Sequence, residues 1–264
     1  MKKILITGKD SYIGTSLEKW LSKEPDNYKV DTLDMRDDGW RNKDFSEYDA
    51  IFHVAAIVHK KEKKELKSLY FKVNRDLPIE VAKKAKVEGV KQFIFMSSMS
   101  VYGIEGKIGE EVVIDKETLP KPKSYYGMSK YEAENQMKLL TDKNFNVAIL
   151  RPPMVYGDNC PGNYARLESL AIRTPIFPMI ENKRSMIHID KLCEYIKKYI
   201  DNNANGVFLP QDDDYVNTSL LVKKIAHDNG REVVLSNSIG KIIKVTGRNN
   251  AFLSKIFGNL IYIK

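Results

Sequence analysis

Tyr126 and Lys130 stand four residues apart in the run Tyr-Gly-Met-Ser-Lys, so a helix there puts a phenol and an ammonium on one face. A free phenol has a pKa of about 10 and is a poor base at neutral pH, but a neighbouring cation favours its phenolate. Ser97 and Ser98 close a short apolar run, and the Ser98 hydroxyl could hold a reacting oxygen in place. These residues describe a proton-transfer pair of the kind that works beside a hydride acceptor. Alone, a Tyr-x-x-x-Lys spacing is as easily a surface helix pair.

A second group lies near the N-terminus. Lys3–Thr7 is an apolar strand that runs into Gly8-Lys-Asp-Ser-Tyr-Ile-Gly14 and then a helix. Strand, glycine turn and helix start together form an anion site, with backbone N–H groups and the positive helix end facing a pyrophosphate. Gly8 permits the turn and Gly14 lets the helix pack closely on the strand. Asp34 ends the next strand, where a carboxylate can accept hydrogen bonds from an adenosine ribose. Arg36, two residues on, could receive a 2′-phosphate, so these residues favour NAD and leave NADP open.

The elements that must position these groups alternate strand and helix. Ile13, Leu17, Trp20 and Leu21 form one buried helix face after the first strand. Further strands are expected at Tyr28–Leu33, Asp49–Ala55, Gln92–Ser97 and Asn146–Leu150. Helices are expected at about Leu66–Glu88 and from Tyr125. This pattern gives an α/β fold, a doubly wound parallel Rossmann sheet with right-handed crossovers. After Pro152 prolines and glycines punctuate shorter elements. The reading is a dinucleotide-binding core over residues 1–151 and a smaller C-terminal substrate lobe over most of 152–264. A late strand at 206–210 is expected to return to the sheet, and a helix at Ser219–Asn229.

Composition narrows the classes. With 42% hydrophobic and 30% charged residues the chain has an ordinary globular balance. The opening MKKILITG is neither a signal peptide nor a membrane span, so a cytoplasmic protein without a membrane partner is expected. Cys160 and Cys193 lack the neighbours of a metal site or a disulfide framework, and no metal is expected. The net charge of +8 raises nucleic acid as a partner. However, the densest basic run, His59–Lys67, alternates sign and has no aromatic residue for base stacking. No nucleic-acid partner is expected.

Taken together and in order, the motifs resemble the extended short-chain dehydrogenase/reductases, the NAD-dependent nucleotide-sugar epimerase/dehydratase family. The matching pieces are TG..SYIG at 7–14, HVAA at 53–56, VN at 73–74, FIFMSSMSVYG at 93–103, YGMSK at 126–130, LRPPMVYG at 150–157 and RSMIHID at 184–190. The resemblance implies that Gly8, Ser11, Tyr12, Ile13, Gly14, Asp34, Arg36, Ala55, Ala56 and Asn74 surround the coenzyme, with Tyr126 and Lys130 beside it. It implies Ser98, Tyr126 and Lys130 as the catalytic set. Ser100, Met154 and Arg184 fall at substrate positions, Arg184 as a ligand of the sugar-nucleotide diphosphate.

The resemblance implies a UDP-sugar substrate and, since relatives often pair through the helix of the Tyr-x-x-x-Lys motif, a homodimer. The lead expectation is a UDP-hexose 4-epimerase with Tyr126 as base. The alternative is an NAD(P)H-dependent UDP-4-keto-sugar reductase in surface polysaccharide synthesis, and a second is a non-catalytic cofactor-sensing protein. Three features depart from the family pattern. Ser11 replaces the middle glycine and is expected to crowd the pyrophosphate turn. Met154 stands where many 4-epimerases have asparagine. The tail from Gly247 resembles a segment that relatives extend, which implies a short substrate lobe.

Overall fold

The structure is a computed structural model and describes residues 1–58, 62–248 and 250–264. The start of the basic run at His59–Lys61 lies outside the described residues. In chain order the strands are β1 (Lys2–Thr7), β2 (Tyr28–Leu33), β3 (Ala50–His53), β4 (Gln92–Met96), β5 (Val113–Ile114), β6 (Asn146–Leu150), β7 (Met154–Tyr156), β8 (Ile176–Pro178), β9 (Met186–His188), β10 (Gly206–Phe208), β11 (Val234–Ser236) and β12 (Ile261–Tyr262). The helices are α1 (Tyr12–Leu21), α2 (Lys67–Phe71), α3 (Leu77–Val87), α4 (Tyr125–Lys138), α5 (Asn163–Arg173), α6 (Ile189–Asp201), α7 (Thr218–Asp228), α8 (Asn237–Thr246) and α9 (Ala251–Phe257).

Two compact units are built from interleaved stretches. The first takes Met1–Gly103, Pro120–Pro153 and Ile189–Pro210; the second takes Ile104–Leu119, Met154–His188 and Gln211–Lys264. The division is therefore not a single cut after residue 151. Ile189–Pro210 stays with the sheet because α6 presents Leu192, Cys193, Ile196 and Ile200 as a buried face and packs on α1. Lys2 Nζ also donates to the Ile200 carbonyl at 2.7 Å.

The first unit is a six-stranded parallel sheet in the order β10-β6-β4-β3-β1-β2. Its central strands are apolar on both faces. Ile4–Ile6, Ile51–Phe52, Phe93–Phe95 and Ala148–Leu150 are all buried, as helices on either side of a parallel sheet require. The chain runs from β1 outward to β2 and then returns to the other side of β1 as β3. That reversal opens a crevice at the carboxyl ends of β1 and β3, where ligands of such sheets bind.

The helical stretch expected over Leu66–Glu88 is interrupted. Lys72–Asp76 forms a π turn between α2 and α3. Pro78, which has no N–H to give the carbonyl four residues back, sits in the first turn of α3.

The second unit has its own core of Leu167, Phe177, Ile180, Val222, Ile225 and Phe257. Short parallel pairs, β7 with β9, β8 with β11 and β5 with β12, frame it. Among the described residues no helix is long and apolar enough to cross a membrane.

Candidate active site

The crevice at β1 and β3 is shaped by close backbone approach. Gly8 has φ of +123°, and a Cβ there would meet the Ala55 backbone nitrogen at 2.7 Å. Gly14 has no room either, since its Cβ would lie 2.5 Å from Ser11 Oγ and 3.2 Å from Ile6 and Val54. Ser11 replaces the family glycine without backbone strain, at φ of −74°. Its Oγ caps α1 by accepting from the Gly14 N–H at 3.2 Å. The expected crowding becomes a helix cap, and one helix-start donor is used internally. Tyr12 and Ile13 open the same helix, half-buried.

Asn74, wholly buried on the π turn, grips the loop after β3 from both sides. It accepts from the Ile57 N–H at 2.8 Å and donates to the Ile57 carbonyl at 3.0 Å. That holds Ala55 and Ala56 against the glycine turn. Asp34 follows β2, whose last carbonyl, on Leu33, accepts from the Gly8 and Lys9 N–H groups. The Asp34 carboxylate is clamped by Arg36 at 2.5–2.9 Å, which holds it down at about 2. A glycine turn with no Cβ space, a capped helix start and a carboxylate at the strand end fit a dinucleotide. The residues that would hold it are those from Gly8 to Gly14 with Asp34, Ala55 and Ala56.

Two hydroxyls meet just after β4. Ser98 caps a 3-10 turn, Met99–Tyr102, by accepting from the Ser100 N–H at 3.1 Å, and its own hydroxyl donates to Ser100 Oγ at 3.1 Å. Tyr126 stands in the first turn of α4, and Ser98 acts on its phenol by lowering its pKa. Gly127 lets this turn lie close to the Ser98–Ser100 segment, since a Cβ there would lie 2.6 Å from the Ser100 carbonyl.

Lys130 departs from expectation. It is buried, and its Nζ donates to the Met96 carbonyl at 2.7 Å and lies 4.5 Å from the Phe95 ring centre. Desolvation pulls it down to about 7, with Glu134 acting in the other direction. Desolvation pushes Tyr126 up to about 12, Ser98 pulls it back and Tyr70 adds to the rise. One donor of the ammonium is thus given to the strand end rather than to the phenol.

A buried network lies behind these groups, and sequence reasoning missed it. Arg151 at the end of β6 gives Nε and Nη2 to the Glu134 carboxylate at 2.5–3.2 Å and Nη1 to the Tyr102 hydroxyl at 2.9 Å. Ser97 Oγ donates to Glu134 at 2.5 Å. Glu134 stands at the same spacing from Lys130 as Lys130 from Tyr126, which is the signal that could have found it. His53 on β3 is also buried, with its Nδ1 2.8 Å from Thr7 Oγ1. Desolvation first, then the Lys130 charge, pulls it down to about 3.

The remaining substrate candidates belong to the second unit. Met154 heads β7, paired in register with Met186 of β9. Arg184 is half-buried, and its Nη1 donates to the Lys255 and Gly258 carbonyls at the end of α9, each at 3.0 Å. Desolvation lowers its pKa. In the same unit Tyr156 packs edge-on to His188 at 5.2 Å, and Asp212 accepts from the His188 N–H.

Against known proteins, the NAD dependent epimerase/dehydratase family model matches residues 4–209. The chain belongs to this family. It is thus an NAD(P)-dependent enzyme of the short-chain dehydrogenase/reductase type, built on a Rossmann sheet. A UDP-glucose 4-epimerase of Vibrio cholerae is 35% identical over 85% of this chain and 75% of its own length. A UDP-glucuronic acid 4-epimerase from Bacillus cereus, in complex with NAD, superposes with a TM-score of 0.73 at 19% identity, covering 99% of this chain and 89% of that one. A dTDP-4-dehydrorhamnose reductase from Bacillus anthracis, in complex with NADP, has a TM-score of 0.71 at 20% identity, covering 89% and 84%. Epimerase and reductase share the fold, so the fold does not choose between them.

Proposed function

We propose that this family enzyme is a UDP-hexose 4-epimerase. The observation that carries the reading is the hydrogen-bonded Ser98 and Ser100 pair at the strand end, with Tyr126 under the influence of Ser98, beside glycine-turn residues fit for a dinucleotide. The 35% identity to a UDP-glucose 4-epimerase supports the choice of reaction. Bound in the crevice, a nicotinamide coenzyme supplies the hydride acceptor and donor for the sugar carbon.

Tyr126 takes the proton from the sugar 4-hydroxyl and later returns it. Ser98 holds that oxygen by a hydrogen bond, and Ser100 orients Ser98. The protonated Lys130 favours the phenolate in the loaded enzyme. Arg184 holds the substrate diphosphate with the guanidinium donors not given to α9, a geometry suited to phosphate. Asp34 favours NAD over NADP because a 2′-phosphate would approach its carboxylate.

The test is incubation with UDP-glucose, UDP-GlcNAc and a UDP-4-keto-6-deoxy sugar, following sugar identity and the absorbance of reduced coenzyme. Interconversion of 4-epimers without added coenzyme is expected, and Tyr126→Phe should lower turnover about 10²–10⁴-fold with coenzyme binding kept. Met154 favours a second reading, a UDP-4-keto-sugar reductase, since an apolar side chain there removes a polar contact to the sugar. Stoichiometric coenzyme oxidation by the keto sugar, with no interconversion of the others, would establish that reading instead.

A further inference from the structure

We infer that Glu134 is a positioning residue of the reaction centre: its carboxylate ties down the strand end that carries Ser98 and keeps Lys130 in its charged form. The inference rests on the roles assigned above to Ser98, Tyr126 and Lys130.

The geometry makes the tie. Glu134 is wholly buried on α4, one turn beyond Lys130 and on the face that carries Tyr126. It takes a hydrogen bond from Ser97, the neighbour of Ser98, at 2.5 Å. It also takes the forked guanidinium of Arg151 from the end of β6. Arg151 reaches on to Tyr102, which closes the 3-10 turn containing Ser100. One carboxylate thus joins the four segments that carry or flank the proposed catalytic hydroxyls. A buried cluster of this kind fixes geometry only when each member is satisfied, and here each is.

Its second effect is electrostatic. The groups facing Lys130 are Glu134 on its own helix, His53 on β3, and the Phe95 ring and Met96 carbonyl of β4. From α2, Tyr70 faces Tyr126, and from the π turn Arg75 is engaged by Asp76 and Glu132. His53 is held neutral at ordinary pH. Among these, Glu134 is the charged group that favours the ammonium, against the desolvation that would strip its proton. Without that carboxylate Lys130 releases its proton at lower pH, and Tyr126 loses its cationic neighbour over the working range.

Glu134→Gln alone strands the Arg151 charge, so the decisive variant is Glu134→Gln/Arg151→Met, with Lys130→Met as reference. In the wild type, unfolded Lys130 binds a proton that folded Lys130 gives up between pH about 7 and the ordinary lysine value. Stability should therefore rise with pH across that window. Urea unfolding against pH should place the start of this rise about one pH unit lower in the double variant. The rise should vanish in Lys130→Met. The alkaline limb of turnover should move down by the same amount while coenzyme affinity stays near wild type.

A double variant with an unmoved unfolding window and an unmoved limb would overturn the inference and leave Glu134 as a structural tie alone. A window that moves in a wild-type background showing no epimerisation would sink the proposed reaction and sustain the inference about the Lys130 proton.

Discussion

Each unit holds an arginine away from solvent, in opposite ways: Arg151 is buried and Arg184 half-buried. In the first, Arg151 faces a carboxylate, and the pair reinforces its charge. In the second, Arg184 gives its Nη1 to two carbonyl oxygens at a helix end, and desolvation lowers its pKa. A guanidinium paired with a carboxylate is a finished structural element. A guanidinium resting on neutral oxygens retains an unanswered positive field, which is what an anionic diphosphate needs. The difference marks Arg151 as scaffold and is consistent with the substrate role proposed for Arg184.

The largest test of this contrast is stability. Arg151→Met should cost about 3–5 kcal/mol in urea unfolding, because it leaves the Glu134 carboxylate buried and unpaired. Arg184→Met should cost only about 1–3 kcal/mol, the loss of hydrogen bonds to two carbonyls. Equal costs would erase the distinction.

Binding should reverse the order. Arg184→Ala should weaken UDP by about 1.5–3 kcal/mol in calorimetry with coenzyme affinity unchanged. UDP affinity that survives the substitution would make Arg184 a helix tie and nothing more.

Acid should then act on the first unit. His53 is held neutral, with its pKa down at about 3, while the unfolded chain protonates near the ordinary histidine value of 6.5. The unfolded state binds the extra proton between those values, so stability falls as pH drops below 6.5. The fall is about 1.4 kcal/mol per pH unit. His53→Asn should flatten that slope between pH 6.5 and 5 in urea titrations. A slope equal to wild type would place the acid sensitivity elsewhere.

The smallest effect should come from the exposed Asp34–Arg36 pair. Asp34→Ala should narrow the preference for NAD over NADP without moving UDP affinity, and a wider preference would contradict the role given to the carboxylate.

Much of this arrangement could be read in the residues. The strands expected at Tyr28–Leu33 and Asn146–Leu150 and the helix start at Tyr125 coincide with β2, β6 and α4, because strand patterning and N-cap serines leave strong local signals. The Ser98 and Ser100 pairing at the strand end lies where the family motifs put the hydroxyls. Three things were not legible. The π turn at Lys72–Asp76 depends on how Asn74 reaches the Ile57 backbone, a contact no periodicity encodes. Lys130's choice of the Met96 carbonyl over the phenol is a matter of rotamer and burial. Residues 189–210 join the first unit because α6 finds α1, a pairing far apart in sequence.

The interleaving also has a consequence for the order in which the chain is made. The sheet is fully synthesised once Phe208 has emerged, and its six strands can then pair. The small strand β5 is made early but has its partner in β12, near the last residues described. Asn259 must likewise arrive to bond Lys107 and Glu110. During synthesis, at about 5–20 residues per second, the first unit can therefore collapse while Ile104–Leu119 waits as an unpaired loop on the nascent chain. During that interval Ile108 and Ile114, buried in the finished fold, still lack the partners that cover them, the kind of transient exposure that favours aggregation.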